Sequence, residues 1–295
     1  MKEKTCLILH RKSANELPVK AAVKAVRSEG IDLRVRIPWN KKDKGPVVQE
    51  ALEHGARRII AGGGDGTINA VASALVGKGK RKPKATLGIL PLGTANDFAR
   101  GCGLPTDDLA ECLRIACTRK GRRMDVAKVN KRYFVNVASA GFGAEITATT
   151  PIGMKKALGG LAYSIMGLAK AANLSPYEGQ LTVPGEEPIV GQMLLMAVSN
   201  NRYAGGGFEV GPAAAVDDGL LDLAVLTYRQ KPDLAKLAAE VKDPLNPDNT
   251  EIIYRQLPAF TIESKEKLHC NLDGEPILTN RLRFSVLPRH LRVAY

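Results

Sequence analysis

The chain has 295 residues, 44% of them hydrophobic and 25% charged, with 43 Lys and Arg against 30 Asp and Glu, a net charge of +13. These values suit a folded chain of one large or two ordinary domains and exclude a disordered one. No apolar run approaches the roughly 20 residues that span a bilayer, no small-residue cleavage site marks a secretory signal, and the five cysteines form no CxxC pair, so a cytoplasmic protein with reduced thiols is expected.

In chain order, "TCLILH" reads as a strand, "ELPVKAAVKAVRSEG" as a helix ended by Gly30, and "IDLRVRIP" as a second strand. A helix over "PVVQEALEHG", the strand "RRIIAGG", the helix "TINAVASALVG", the strand "ATLGILPLG" and a helix in "DDLAECLRIACTRKG" follow. Strands alternating with helices imply βαβ units, hence an α/β domain with a parallel sheet covered on both faces, over 1–124. From "RRMDVAKVNKRYFVNVASAG" onward most segments alternate like half-buried strands: "GQMLLMAVSNN", "GLLDLAVLTY", "PAFTIESKEKLHCNLDGEP" and "RLRFSVLPR". A mostly antiparallel, β-rich domain is therefore expected over 125–295, its last strand returning to the interface. One helix interrupts it, in "MKKALGGLAYSIMGLAKAAN", where Leu158, Leu161, Ala162, Ile165 and Ala169 share a stripe suited to packing on a sheet or to facing lipid.

The charge is uneven. Met1 to Asn130 carries 26 Lys and Arg against 13 Asp and Glu, whereas Lys131 to Tyr295 carries 17 against 17. All the excess lies in the first part, in stretches such as "WNKKDKG" and "GKGKRKPK". Such an imbalance suits nucleotide phosphates, nucleic acid or an acidic membrane surface, and equally a solvated basic face. An aromatic content of 5%, with no RNP-like or helix-turn-helix signature, argues against nucleic acid. The four histidines are scattered, so no zinc site is expected.

"IIAGGGDGTINAVASAL" (59–75) places three glycines, an aspartate and a fourth glycine between a strand and a helix. Glycines leave backbone N–H groups uncovered at a helix start that carries partial positive charge, a combination that suits phosphate and also suits an ordinary tight turn. No GK[ST] follows, so this is not a Walker A loop, and Thr67 stands where GxGxxG needs glycine. Asp65 would repel a bare phosphate, which favours a nucleotide delivered with Mg²⁺. "LGILPLGTANDFAR" repeats the arrangement one strand later, with Thr94 in position to cap the helix begun by Ala95, Asn96 and Asp97.

"GGGDGTINAV", then "LGILPLGTANDFAR" and, far downstream, "NLDGEP" resemble the diacylglycerol kinase catalytic-domain family, within it the bacterial YegS-type lipid kinases. The resemblance runs along nearly the whole chain. It implies a fold related to NAD kinase with ATP in a cleft between an α/β and a β-rich domain. It also implies transfer of the ATP γ-phosphoryl group, with Mg²⁺, to a hydroxyl of a lipid such as phosphatidylglycerol or diacylglycerol, at a peripheral, anionic membrane surface. The alternative is a kinase of the same superfamily acting on NAD or another small hydroxyl compound. On the matching positions, Gly64, Asp65, Gly66, Thr67, Ile68 and Asn69 are the nucleotide loop and Thr94 a second nucleotide contact. Asp218, with the carbonyls of Ala215 and Leu220, is a cation site for Mg²⁺ or Ca²⁺, and "DDG" is also an ordinary β-turn. Glu275 is the proton acceptor, with Asp273 assisting or organising metal; "LDGEP" is equally a plain hairpin turn. Two positions depart from the family pattern: Ala70 replaces a glutamate, and Pro38 stands where a threonine contacts nucleotide. Neither the acceptor lipid nor the oligomeric state is written in these motifs.

Overall fold

The computed structural model describes residues 4–141, 176–228 and 234–295. The apolar stripe expected over 158–169 lies outside them. Contacts divide the chain into two units, Met1–Val126 with Leu287–Tyr295, and Ala127–Val286.

In the first unit β1 (Thr5–Leu9), β2 (Leu33–Arg36), β3 (Arg58–Gly63) and β4 (Thr86–Pro91) alternate with α1 (Leu17–Ser28), α2 (Lys44–Glu53), α3 (Asp65–Val76), the short α4 (Asp97–Gly101) and α5 (Leu109–Thr118). The strands pair in parallel in the order β2-β1-β3-β4, with Thr5 beside Leu33 and Arg58, and Arg58 beside Thr86. β1, β3 and β4 are buried at every residue, as strands covered on both faces must be. Right-handed crossovers that step one way to β2 and the other way to β3 and β4 put α1 on one face and α2 and α3 on the other. Accordingly α1 packs on α5, and α2 on α3. Pro18 opens α1, and Val19, Ala22, Val23 and Val26 are its buried stripe. The strand order reverses between β1 and β3, so the crevice beyond their carboxyl ends is where such a sheet offers a binding place.

The second unit holds β6 (Arg132–Phe134), β7 (Val137–Gly141), β8 (Tyr177–Thr182), β9 (Ile189–Ser199), the short β10 (Tyr203–Ala204) and β11 (Phe208–Glu209), β12 (Leu221–Thr227), β13 (Ile252–Leu257) and β14 (Ala259–Leu272). Two strands run from one unit's residues into the other's: β5 (Arg122–Val129) and β15 (Glu275–Val293). Neighbours in the order β13-β12-β9-β7-β14-β15 are antiparallel. β14 alternates buried and open residues except at Lys265–Lys267, where its register with β15 shifts. Phe260 stacks on Phe284 at 4.9 Å, and Phe134 meets Phe284 edge-on at 6.3 Å, within a core shared by Val198, Leu223 and Leu272. A helix not expected here, α6 (Leu234–Lys242), brings Leu237 onto Leu194, Leu226 and Ile252. The last residues of β15 belong to the first unit, where Arg292 and Val293 pair in parallel with Thr86 and Leu87.

Candidate functional site

The glycine loop leaves the end of β3 and becomes α3 with Gly64 as the capping residue. A side chain at Gly63 would meet Thr67 Cβ at 2.6 Å, and one at Gly93 would meet Gly64 Cα at 2.5 Å. Gly93 and Gly64 are therefore required because two loop backbones pass against each other, and Gly63 because the Thr67 side chain packs onto it, quite apart from any ligand. Leu92 N–H donates to Gly63 O at 3.0 Å, adding a backbone bond between the same two loops.

Asp65 completes that junction. Its Oδ1 accepts the Phe98 amide at 3.0 Å and its Oδ2 the Asp97 amide at 3.3 Å, so the carboxylate of one loop caps the helix that follows the other. Thr94 does not serve as the cap expected for it. It lies exposed in the loop, the capping position of α4 is Asn96 at φ +53°, and the Asn96 side chain turns back to accept the Gly93 amide at 2.7 Å. An asparagine tolerates the left-handed conformation and closes the tight turn locally, which leaves the α4 amides to a carboxylate from elsewhere.

Within the nucleotide loop the residues divide by burial. Gly64, Asp65 and Gly66 are half-buried, whereas Thr67, Ile68 and Asn69 are buried. The Thr67 and Ile68 amides are taken by Gly64 O at 2.8 and 3.1 Å, and Asn69 Oδ1 accepts from Ser73. The first amides of α3, at Asp65 and Gly66, have no intrahelical acceptor and carry the positive end of its dipole. Of the two departures, Ala70 is half-buried on α3 and Pro38 is buried beyond β2.

A histidine is bonded beside this loop. His10 follows β1 and its backbone N–H donates to Gly62 O at 2.7 Å, while its Nδ1 accepts the Lys12 amide at 3.3 Å. Burial first, and then the charges of Lys44, Lys12 and Arg11, hold the imidazole below the usual histidine range. Lys44, at the start of α2, is itself only 7% exposed.

In the second unit, Asp273 and Gly274 form the two-residue turn between β14 and β15, with Leu272 opposite Glu275 and φ of +48° and +90° at the turn residues. This is the Asp-Gly hairpin turn that demands φ > 0 at both positions. The turn separates the two carboxylates. Asp273 is buried and accepts the amides of Val135 at 2.7 Å, Asn136 at 3.2 Å and Val137 at 2.8 Å, fastening the segment that leads into β7. Glu275, the first residue of β15, is half-buried.

The Asp218 loop precedes β12. Asp218 is exposed and its Oδ1 accepts the Leu220 amide at 2.9 Å, an Asx turn. Beneath it Asp222 is buried, bonded by the Tyr254 hydroxyl and by Gln256 at 3.1 Å, and its pKa is raised by burial against those bonds and with the help of the Asp218 charge. Ala213 is held to the same pair, its amide donating to Tyr254 Oη at 3.2 Å. Among the described residues no three acidic, histidine or cysteine side chains gather as a metal cluster. The groups expected as ligands, Asp218 and the carbonyls of Ala215 and Leu220, are all oxygen donors, the chemistry that suits a hard cation and no soft one.

Residues 4–129 match the diacylglycerol kinase catalytic domain, and residues 136–295 match the YegS C-terminal NAD kinase beta sandwich-like domain. The chain is 43% identical to the Chromohalobacter salexigens protein named "Probable lipid kinase YegS-like", over 98% of this chain and 92% of that one. It is 41% identical to the Pseudomonas aeruginosa protein of the same name, over 99% and 94%. The chain belongs to the YegS branch of the diacylglycerol kinase catalytic-domain family. A crystal structure of a Bacillus anthracis diacylglycerol kinase has the same fold, with a TM-score of 0.75 at 22% identity over 99% of this chain and 97% of that one.

Against this family background, sequence reasoning found the motif stretches and missed their partners. Nothing in "GGGDGT" says that Asp65 reaches the amides of Asp97 and Phe98, nor in "LDGE" that Asp273 takes those of residues 135–137. His10 and Lys44 also escaped notice. Their only signal was position, at the end of the predicted first strand and just before the predicted second helix, where parallel sheets place ligand-contacting residues.

Proposed function

We propose that this member of the family is an ATP-dependent lipid kinase that transfers the γ-phosphoryl group to a lipid hydroxyl, of the phosphatidylglycerol or diacylglycerol class. The observation that carries the reading is the junction of the Gly62–Gly66 and Leu92–Asn96 loops, the first of which flanks the switch point of the parallel sheet, in a chain belonging to this family. Phosphoryl transfer asks a protein chiefly for positioning and charge stabilisation. The free helical amides at Asp65 and Gly66 hold phosphate oxygens, Lys44 adds positive charge near His10, and Thr94 contacts the nucleotide from the second loop. Ile68 and Asn69 support the loop from inside and Thr67 fixes its turn. When bound with the nucleotide, Mg²⁺ supplies neutralisation of the phosphate charge.

Glu275 accepts the proton of the acceptor hydroxyl, while Asp273, committed to three amides, positions the turn that carries it. Asp218 with the carbonyls of Ala215 and Leu220 holds a hard divalent cation, Mg²⁺ or Ca²⁺, that stiffens the loop before β12. Parallel incubations with γ-labelled ATP and a panel of lipids, or with NAD, test the reading. Labelled lipid on thin-layer separation is the expected result. Label on NAD alone would replace it with the soluble-substrate alternative.

A further inference from the structure

On the first unit α1 and the edge strand β2 enclose an apolar groove of roughly 590 Å³. Leu9, Val19, Val23 and Val35 line it, and Lys20 and Lys24 stand among the lining residues, none of which is acidic. Arg27 donates to Leu33 O at 3.0 and 2.8 Å and ties α1 to β2. Three large apolar side chains stand out beside the groove. Leu17 at the start of α1 is 79% exposed, Ile37 just past β2 45%, and Trp39 79%. Leu17, Lys20 and Lys24 follow one another at helical spacing, so one apolar and two basic groups share an exposed stripe.

We propose that this stripe and groove, with Leu17, Ile37 and Trp39 as anchors, form the surface by which the protein docks on an anionic phospholipid bilayer. The proposal deepens the lipid-kinase reading, for which it supplies the route to a substrate held in a membrane. Indole favours the headgroup level of a bilayer, and lysine stems lie along apolar surface while their ammonium groups reach lipid phosphates. Charge decides against a second copy of the chain as the occupant. Pairing this face with itself would bring Lys20 and Lys24 against their own like charges, whereas an acidic bilayer neutralises them. The excess of basic residues up to Asn130 acts in the same direction.

Trp39 is the only tryptophan in the chain, so its emission reports this surface alone. With vesicles of phosphatidylcholine and phosphatidylglycerol the emission should move to shorter wavelength and be quenched by brominated acyl chains, and added salt should reverse both effects. Vesicles of phosphatidylcholine alone should leave it unmoved. The double change Lys20→Glu and Lys24→Glu should weaken partitioning about tenfold or more, with unfolding unchanged and phosphorylation of detergent-dispersed lipid retained. Sedimentation with acidic vesicles without a change in Trp39 emission overturns the proposal. A shift that grows with protein concentration in the absence of lipid also overturns it, and assigns the surface to a second copy. If vesicles are bound as described but no lipid is ever phosphorylated, the kinase reading fails and the docking surface stands.

Discussion

At Asp273 and Glu275 two carboxylates separated by a single glycine have opposite surroundings, and substitution separates their parts. Asp273→Asn turns an acceptor of three amides into a group with its own donors facing them, and should cost about 2–3 kcal/mol of stability in urea unfolding. Glu275→Gln should leave unfolding within about 0.5 kcal/mol and lower turnover by about 10²–10⁴. Unchanged turnover in the folded Gln variant would remove Glu275 as proton acceptor. Asp65→Ala deletes the cap that joins the two loops. It should abolish lipid phosphorylation at a stability loss of only about 1 kcal/mol, read by the same two measurements.

Among the elements, the contact between the loops after β3 and β4 is the most exacting. Gly93→Ala puts a Cβ 2.5 Å from Gly64 Cα, backbone against backbone, so the loops must part. A loss of about 1–3 kcal/mol together with weaker nucleotide binding is expected, and wild-type binding in this variant would show that the loops need not touch. A pH effect belongs to α6 and β13. Burial alone would raise the Glu240 pKa, but its carboxylate accepts the amides of Thr250, Glu251 and Ile252 at 2.8–3.0 Å and is held below the usual range. A depressed folded-state pKa gives stability that is fully present above the unfolded value near 4.5 and is lost as pH falls through the folded one. Glu240→Gln should therefore flatten the acid limb of the stability curve, followed by thermal melts across that range.

Across the whole molecule, charge and thiol chemistry are distributed with a consistent sense. All five cysteines are free and buried, and burial pushes the thiols of Cys102 and Cys270 up to about 12, which keeps them inert. No described helix is long and apolar enough to cross a membrane. If the first unit binds nucleotide with a divalent cation, nucleotide at a hundred times its Kd should stabilise the protein by about 2.7 kcal/mol. A rise in Tm with Mg²⁺ that shrinks on adding a chelator is the expected result, and equal shifts with and without the metal would exclude a metal part in binding.

How much of this was legible beforehand differs by the range of the interaction. The strands β1 to β4 fall inside the stretches read as strands, because the apolar runs of β1, β3 and β4 and the alternation of β2 are local signals. α6 was passed over although Pro232 and Asp233 precede a Leu234, Leu237 and Val241 spacing, a helical start within a region otherwise read as strands. The motifs themselves, GGGDGT, LGTAND and LDGE, stood in the sequence because glycine and acidic turn residues are constrained by the backbone beside them. Their bonding partners did not. Asp65 reaches 33 residues along the chain to Phe98, and Asp273 reaches 138 residues back to Val135. Residue order alone determined where the chain turns and which residues sit at those turns. Only the tertiary fold decided which carboxylate is spent on backbone amides, because that depends on segments brought together by packing and leaves no periodic trace along the chain.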